Sequence, residues 1–275
     1  MLTMKHPLDE KIFNPSTSPF ERICLIVKRL RDPKDGCPWD KEQTHESLTP
    51  YVVEEAFEVV EAITHHKEDL KKELGDLLLQ VLLHSEIASE TATFSIDDVC
   101  EAISTKLITR HPHVFGDVDA TTSETVLKNW EQIKQQELKA GQSILDGVPT
   151  RMPALLRAQR VSEKAARVGF EWSTLDDIKD KVIEEIQEFL VEVKEGASQT
   201  KIADEFGDIY FALTQVARRM HLDAESLLHA STDKFTRRFK AMEQRLSKPI
   251  KEMTLQELDA IWELVKQEEK AQVKA

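Results

Sequence analysis

Residues 181–208, KVIEEIQEFLVEVKEGASQTKIADEFGD, decide how this chain folds. The stretch is helix-forming except at Gly196, Ala197 and Ser198, where it breaks once. Residues three or four apart on a helix share a face. Glu185 and Glu188 therefore point one way before the break, and Glu205 and Asp208 share a face after it. A short connection folds consecutive helices into an antiparallel pair, which can bring the two acidic faces together. Four converging carboxylates repel and favour protonation unless a cation sits between them. An all-oxygen donor set matches a hard ion, Mg²⁺ first and Mn²⁺ second.

One acidic helix face is ordinarily a solvated surface. Here the pattern occurs twice. Residues 54–76 read EEAFEVVEAITHHKEDLKKELGD, so Glu55 and Glu58 match Glu185 and Glu188, while Glu73 and Asp76 match Glu205 and Asp208. Both second clusters have the form E-x-G-D, which puts Gly75 and Gly207 inside helical runs. A mid-helix glycine costs about 1 kcal/mol against alanine. Two glycines at one motif position, in a chain with only eight, point to close approach of backbone or ligand.

The repeat divides the 275 residues. Residues 1–19, with three prolines, are expected to be a loose arm, 20–140 a first helical domain, and 154–275 a second. The linker expected between them is 141–153, which holds two glycines and two prolines. Helices are expected from Pro19 to about Asp32, over 47–90 as the first acidic pair, and over 95–110 with Ser95 as N-cap. Further helices are expected over 123–139, from 154 to near Gly169, over 175–220 as the second acidic pair, and over 223–247. A last one begins at Thr254, where Glu257 completes a capping box. No stretch sustains strand alternation, so the expected class is all-α, two tandem helical bundles each built on an antiparallel acidic helix pair.

The net charge of −13 opposes broad contact with a nucleic-acid backbone, and no stable nucleic-acid binding is expected. Cys24, Cys37 and Cys100 form no C-x-x-C, which excludes the usual disulfide and zinc frameworks. The N-terminus lacks an apolar signal core and no run reaches membrane-spanning length, so the expectation is a cytoplasmic protein without membrane attachment.

The repeat continues beyond the acids. Lys234, Arg237 and Arg238 lie on one side of a helix in KFTRRFK, and TKLITRH offers Lys106 and Arg110 at a matching offset. Trp262 and Lys266 of WELVK answer Trp130 and Lys134 of WEQIK. Metal and fixed cations neutralise a polyphosphate, and a flat indole stacks on a base. Neither G-x-x-x-x-G-K-[ST] nor G-x-G-x-x-G is present, so such a ligand would be held by ions and side chains rather than by a glycine-rich loop.

GCPWDKEQT, EEAFEVVEAI, the paired E-x-G-D segments, RHPHVFGD and KFTRRF together resemble the MazG family of nucleoside triphosphate pyrophosphohydrolases. The resemblance covers nearly the whole chain outside the arm and the linker. It implies an all-α Mg²⁺ enzyme, usually a homodimer, that converts nucleoside triphosphates to the monophosphate and pyrophosphate. It further implies that Glu185, Glu188, Glu205 and Asp208 are metal ligands. Lys181, Lys201, Lys234, Arg237, Arg238, Trp262 and Lys266 would line the nucleotide site. Glu55, Glu58, Glu73 and Asp76 would be a second metal site.

The copies differ in charge. Tyr51, Asp69 and Thr109 stand where the second copy has Lys181, Lys201 and Arg237. A triphosphate needs such cations as charge moves to the departing pyrophosphate. The second half is therefore expected to be the main catalytic unit, with Glu184 or Glu188 taking the proton of the attacking water beside Glu185. The first half is expected to be a weaker site, a regulatory site or a dimer partner. A di-iron bundle is opposed because Glu-x-x-His occurs only at Glu42–His45, outside both acidic helix pairs. A non-catalytic nucleotide- and metal-binding helical module is the alternative reading.

Overall fold

The computed structural model describes residues 6–123, 125–126, 129–130, 133 and 141–272. Twelve α-helices and no strands occur among them, in two compact units, Met1–Ile133 and Lys134–Ala275. The first unit holds α1 (Asp9–Ile12), α2 (Pro19–Leu30), α3 (Pro38–Glu42), α4 (Thr49–Thr64), α5 (Leu70–Glu90), α6 (Ile96–Arg110) and α7 (Pro112–Phe115). The second holds α8 (Ala154–Arg167), α9 (Leu175–Glu195), α10 (Gln199–Arg219), α11 (Ala224–Glu243), a 3₁₀ turn (Ile250–Glu252) and α12 (Leu255–Gln272). The helix expected over 123–139, with Lys134, lies largely outside the described residues.

Local chemistry sets the ends of the acidic pair in the second unit. Thr174 and Asp177 form a reciprocal capping box that starts α9. Gly196 ends it in the left-handed conformation at φ 68°, which glycine adopts without a Cβ penalty. Two residues later Ser198 Oγ accepts from the backbone N–H of Lys201 and starts α10. The three-residue break is thus a helix stop followed at once by a helix start, and α9 and α10 fold back on each other. In the first unit α4 and α5 pair in the same way. Ser95 and Asp98 box the start of α6, and Thr254 and Glu257 exchange the same bonds before α12.

The first unit's core is Val27 of α2, Leu48 ahead of α4, and Leu82 and Leu83 of α5, with Ile23, Leu79, Ile87 and Ile96 packed on it. Each such aliphatic side chain contributes about 1.5–3 kcal/mol when fully buried. Ile178 of α9, Ala212, Thr214 and Ala217 of α10, Met242 of α11 and Val265 of α12 are buried in the second unit.

The segment expected to be a loose arm and the one expected to be a linker both make side-chain contacts where described. Ahead of α2, Asp9 is buried 3.4 Å from the Arg29 guanidinium, and His6 lies 3.3 Å from Asp32. In 141–153, Val148 is buried, and Lys164 Nζ donates to the Ile144 carbonyl at 2.7 Å. Proline and glycine content marks irregular backbone; it does not say whether neighbouring side chains hold that backbone.

Candidate functional site

Helix α9 presents Lys181, Glu184, Glu185, Glu188 and Glu192 in successive turns, and α10 presents Glu205 and Asp208. Their pairing places one carboxylate oxygen each of Glu185, Glu188 and Glu205 within 4.8 Å of one another. Glu185 is buried, only 7 % exposed, whereas Glu188 is open to solvent. Loss of water raises the Glu205 carboxyl above its ordinary range, and Glu188, Glu192, Asp208 and Glu185 add repulsion. Asp208 lies outside the tight group of three but close enough to bear on Glu205.

Lys181 Nζ sits between Glu184 at 2.9 Å and Glu185 at 2.8 Å, and these bonds, led by that to Glu185, push its own pKa up. Lys201 Nζ is 2.6 Å from Glu192 and feels Glu205 as well. Both lysines counter the acidic cluster. Glu192 was not singled out from sequence, although it stands four residues after Glu188 and so continues that stripe.

The first unit repeats the arrangement. Carboxylate oxygens of Glu55, Glu58 and Glu73 lie within 4.8 Å of one another, and Glu73 is 8 % exposed. Burial, then Glu58 and Asp76, raise Glu55; burial, then Glu73, raise Glu58. Lys72 Nζ is 3.0 Å from Glu73 and 3.7 Å from Asp76, a cation that matching against the second copy did not reveal. Oε2 of Glu55 and Oε2 of Glu73 are nevertheless buried without a hydrogen-bond partner. Unpaired buried carboxylate oxygens are costly. The donors present therefore fit a divalent cation, which would satisfy them.

The basic residues form a second group, on α11 and α12. Lys234, Arg237 and Arg238 share one face of α11. Both arginines are held by one carboxylate: Arg237 Nε donates to Glu269 Oε1 at 3.1 Å and Arg238 Nε to Oε2 at 2.7 Å. These two guanidinium groups, Arg237 first, lower the Glu269 carboxyl below its ordinary range. Trp262 packs on Phe235 with ring centroids 5.3 Å apart, and Lys266 Nζ is 2.6 Å from Glu263. Among the described residues Lys234 makes no ion pair, and no hydrogen bond or ion pair joins this basic group to the four acids. In the first unit Arg110 lies 5.8 Å from the centroid of the Trp130 ring.

Gly75 and Gly207 stand open: a Cβ on either would meet nothing within 4 Å among the described residues. Packing against the described residues of the unit therefore does not require glycine at either position.

The sequence profile of the MazG nucleotide pyrophosphohydrolase domain matches residues 43–115 and 173–242, more than half of the chain and once in each unit. This chain belongs to the MazG family. It is 44 % identical over 256 residues to a nucleoside triphosphate pyrophosphohydrolase of Escherichia coli strain K12, covering 90 % of this chain and 97 % of that relative. A nucleoside triphosphate pyrophosphohydrolase/pyrophosphatase MazG of Thermotoga maritima is 41 % identical over 252 residues, covering 90 % and 95 %. An uncharacterized protein of Bacillus subtilis, YabN, is 43 % identical over 256 residues, and the match spans 52 % of its length. The two MazG matches contain both acidic clusters and Lys234, Arg237 and Arg238. Trp262, Lys266 and Glu269 lie beyond the second match, on α12.

Proposed function

We propose that this MazG-family chain hydrolyses nucleoside triphosphates to nucleoside monophosphate and pyrophosphate, and that its second unit does most of the work. The observation that carries the reading is the convergence of Glu185, Glu188 and Glu205 with Lys181 seated against them. Glu185, Glu188, Glu205 and Asp208 would hold Mg²⁺, with Mn²⁺ as a substitute, since all four donate oxygen. The ion would polarise phosphate oxygens and lower the pKa of bound water.

The chain's own residues do the rest. Glu184 and Glu188 stand at the exposed edge of the cluster, where either can accept a proton from water. Lys181 and Lys201 offset negative charge beside the acids as phosphate arrives. Lys234, Arg237 and Arg238 hold the charge that gathers on pyrophosphate, while Trp262 and Lys266 receive the nucleoside end. The unpaired oxygens of Glu55 and Glu73 support a second metal site in the first unit, formed by Glu55, Glu58, Glu73 and Asp76. Tyr51, Asp69 and Thr109 leave that site short of phosphate-binding cations, which favours a weak or regulatory role.

We assign the working form to a homodimer, because each acidic pair leaves an apolar face uncovered. No helix among the described residues is long and apolar enough to cross a membrane, and all three cysteines are free. A reducing, cytoplasmic setting suits free cysteines.

The test is a product assay with each common ribo- and deoxyribonucleoside triphosphate, with Mg²⁺ or with chelator. The expected products are monophosphate and pyrophosphate, formed only with metal. Loss of one metal ligand should reduce turnover at least about 100-fold in Glu185→Ala, against about two- to five-fold in Glu55→Ala. Diphosphate plus phosphate would refute the reaction. Full turnover after neutralising Lys181 and Lys201 would refute the assignment to the second unit.

A further inference from the structure

Helix α12 carries Trp262, Lys266 and Glu269 at intervals of four and three residues, so the three share one stripe. That stripe faces α11: Trp262 meets Phe235, and Glu269 meets Arg237 and Arg238. The Glu269 carboxylate gives one oxygen to each arginine. Two guanidinium groups converging on a planar oxyanion is the geometry by which arginine binds phosphate. One carboxylate carries a single negative charge against two positive ones, so these three side chains together keep a net positive charge that attracts anions.

We propose that Glu269 is a built-in stand-in for phosphate, occupying Arg237 and Arg238 until the terminal phosphates of a nucleoside triphosphate displace it. This rests on the placement of Arg237 and Arg238 in the nucleotide site. Seven residues of helix rise separate Trp262 from Glu269, about 10 Å. That is comparable with the reach from a base to the terminal phosphates of its nucleotide. A ligand stacked on Trp262 and bearing β- and γ-phosphates competes with Glu269 for both arginines. A monophosphate stacked there does not reach them. Glu269 thereby sets a threshold that a triphosphate passes and the monophosphate product does not, and it re-engages the arginines as pyrophosphate leaves. Arg237 is 63 % exposed, so its bond to Glu269 is the weaker of the two, whereas Arg238 and Glu269 are 20 % and 24 % exposed.

The experiment compares the full chain with Glu269→Gln, Glu269→Ala, Arg237→Ala and Arg238→Ala in two readouts. One is calorimetric binding of inorganic tripolyphosphate, which needs no turnover. The other is KM and kcat for MgATP, with AMP as competitor. Removing the competing charge should tighten tripolyphosphate binding and lower KM by about two- to ten-fold in both Glu269 variants. AMP inhibition should shift by less than about two-fold, because a monophosphate makes no call on the arginines. Weaker tripolyphosphate binding in both Glu269 variants would overturn the proposal and make Glu269 a positioning residue for the arginines. Unchanged binding in the Glu269 variants, with weakened binding in the arginine variants, would overturn it while leaving the nucleotide site in place. If neither arginine variant alters tripolyphosphate binding or KM, the nucleotide-site placement itself falls.

Discussion

Gly75 and Gly207 stand one residue ahead of Asp76 and Asp208, inside α5 and α10. Alanine at either should stabilise its helix by about 1 kcal/mol, since a Cβ meets no neighbour within 4 Å. If substrate passes over this backbone in the second unit, Gly207→Ala should be more stable and yet lose about ten-fold or more in kcat/KM. Gly75→Ala should gain the same stability with little change in turnover. Thermal melts and steady-state kinetics on the two variants check both halves of the expectation; a Gly207→Ala enzyme that is stabler and fully active removes ligand approach as the reason for the glycine. At this scale the acids were legible because helical period alone places Glu185 with Glu188 and Glu205 with Asp208. Ion-pair partners were not legible. Glu269 follows Arg238 by 31 residues, and nothing local in the sequence says that α12 turns that particular glutamate toward α11.

The acidic pair is held in place by a polar clamp on α10. Arg218 Nε donates to Ser162 Oγ of α8 at 2.8 Å, and its guanidinium lies 2.6 Å from Glu171 in the segment ahead of α9. Glu171 is held below its ordinary carboxyl range by the Arg218 hydrogen bond first. Arg218 is 12 % exposed, so removing it leaves Ser162 without this partner in a covered site and leaves Glu171 only the Trp172 N–H and the more distant Arg219. Its neighbour Arg219 is 37 % exposed, and its closest approach to Glu171 is 3.9 Å. Arg218→Ala should therefore cost about 3 kcal/mol of the second unit's stability. Arg219→Ala should cost less than about 1 kcal/mol. Urea unfolding of the two variants distinguishes them; equal costs would mean that the clamp contributes nothing beyond surface charge. The longer helices were legible, and with them the caps Ser95 and Thr254, because capping is decided within four residues. The clamp was not, because Ser162, Glu171 and Arg218 meet only once three elements have packed.

Each unit leaves apolar side chains in register on the outside of its acidic pair. In the second unit Ile183, Ile186, Leu190 and Val193 run along α9 at intervals of three, four and three, and Phe206, Tyr210 and Leu213 run along α10 at four and three. In the first, Val53, Phe57 and Val60 on α4, and Leu74, Leu78 and Val81 on α5, repeat the pattern. Leu190 is 56 % exposed, and a leucine moved from such a position into a dry interface contributes up to about 1.5–3 kcal/mol. Intervals of three and four are those of helices that pack lengthwise on other helices. A second copy can supply the same stripe in return, as a two-fold interface requires. If two copies associate through this stripe, placing charge on it should break the proposed dimer while leaving the unit's own core untouched, since Ile178, Thr214 and Met242 are already buried within it. Leu190→Glu combined with Leu213→Glu is expected to convert a dimer to a monomer in sedimentation velocity, with helical circular dichroism retained. Turnover should fall with dimer content if an assembled four-helix face keeps the Glu185, Glu188 and Glu205 carboxylates together. A double variant that remains dimeric would move the interface elsewhere. A monomer with full activity would show that α9 and α10 hold the acids in place without help.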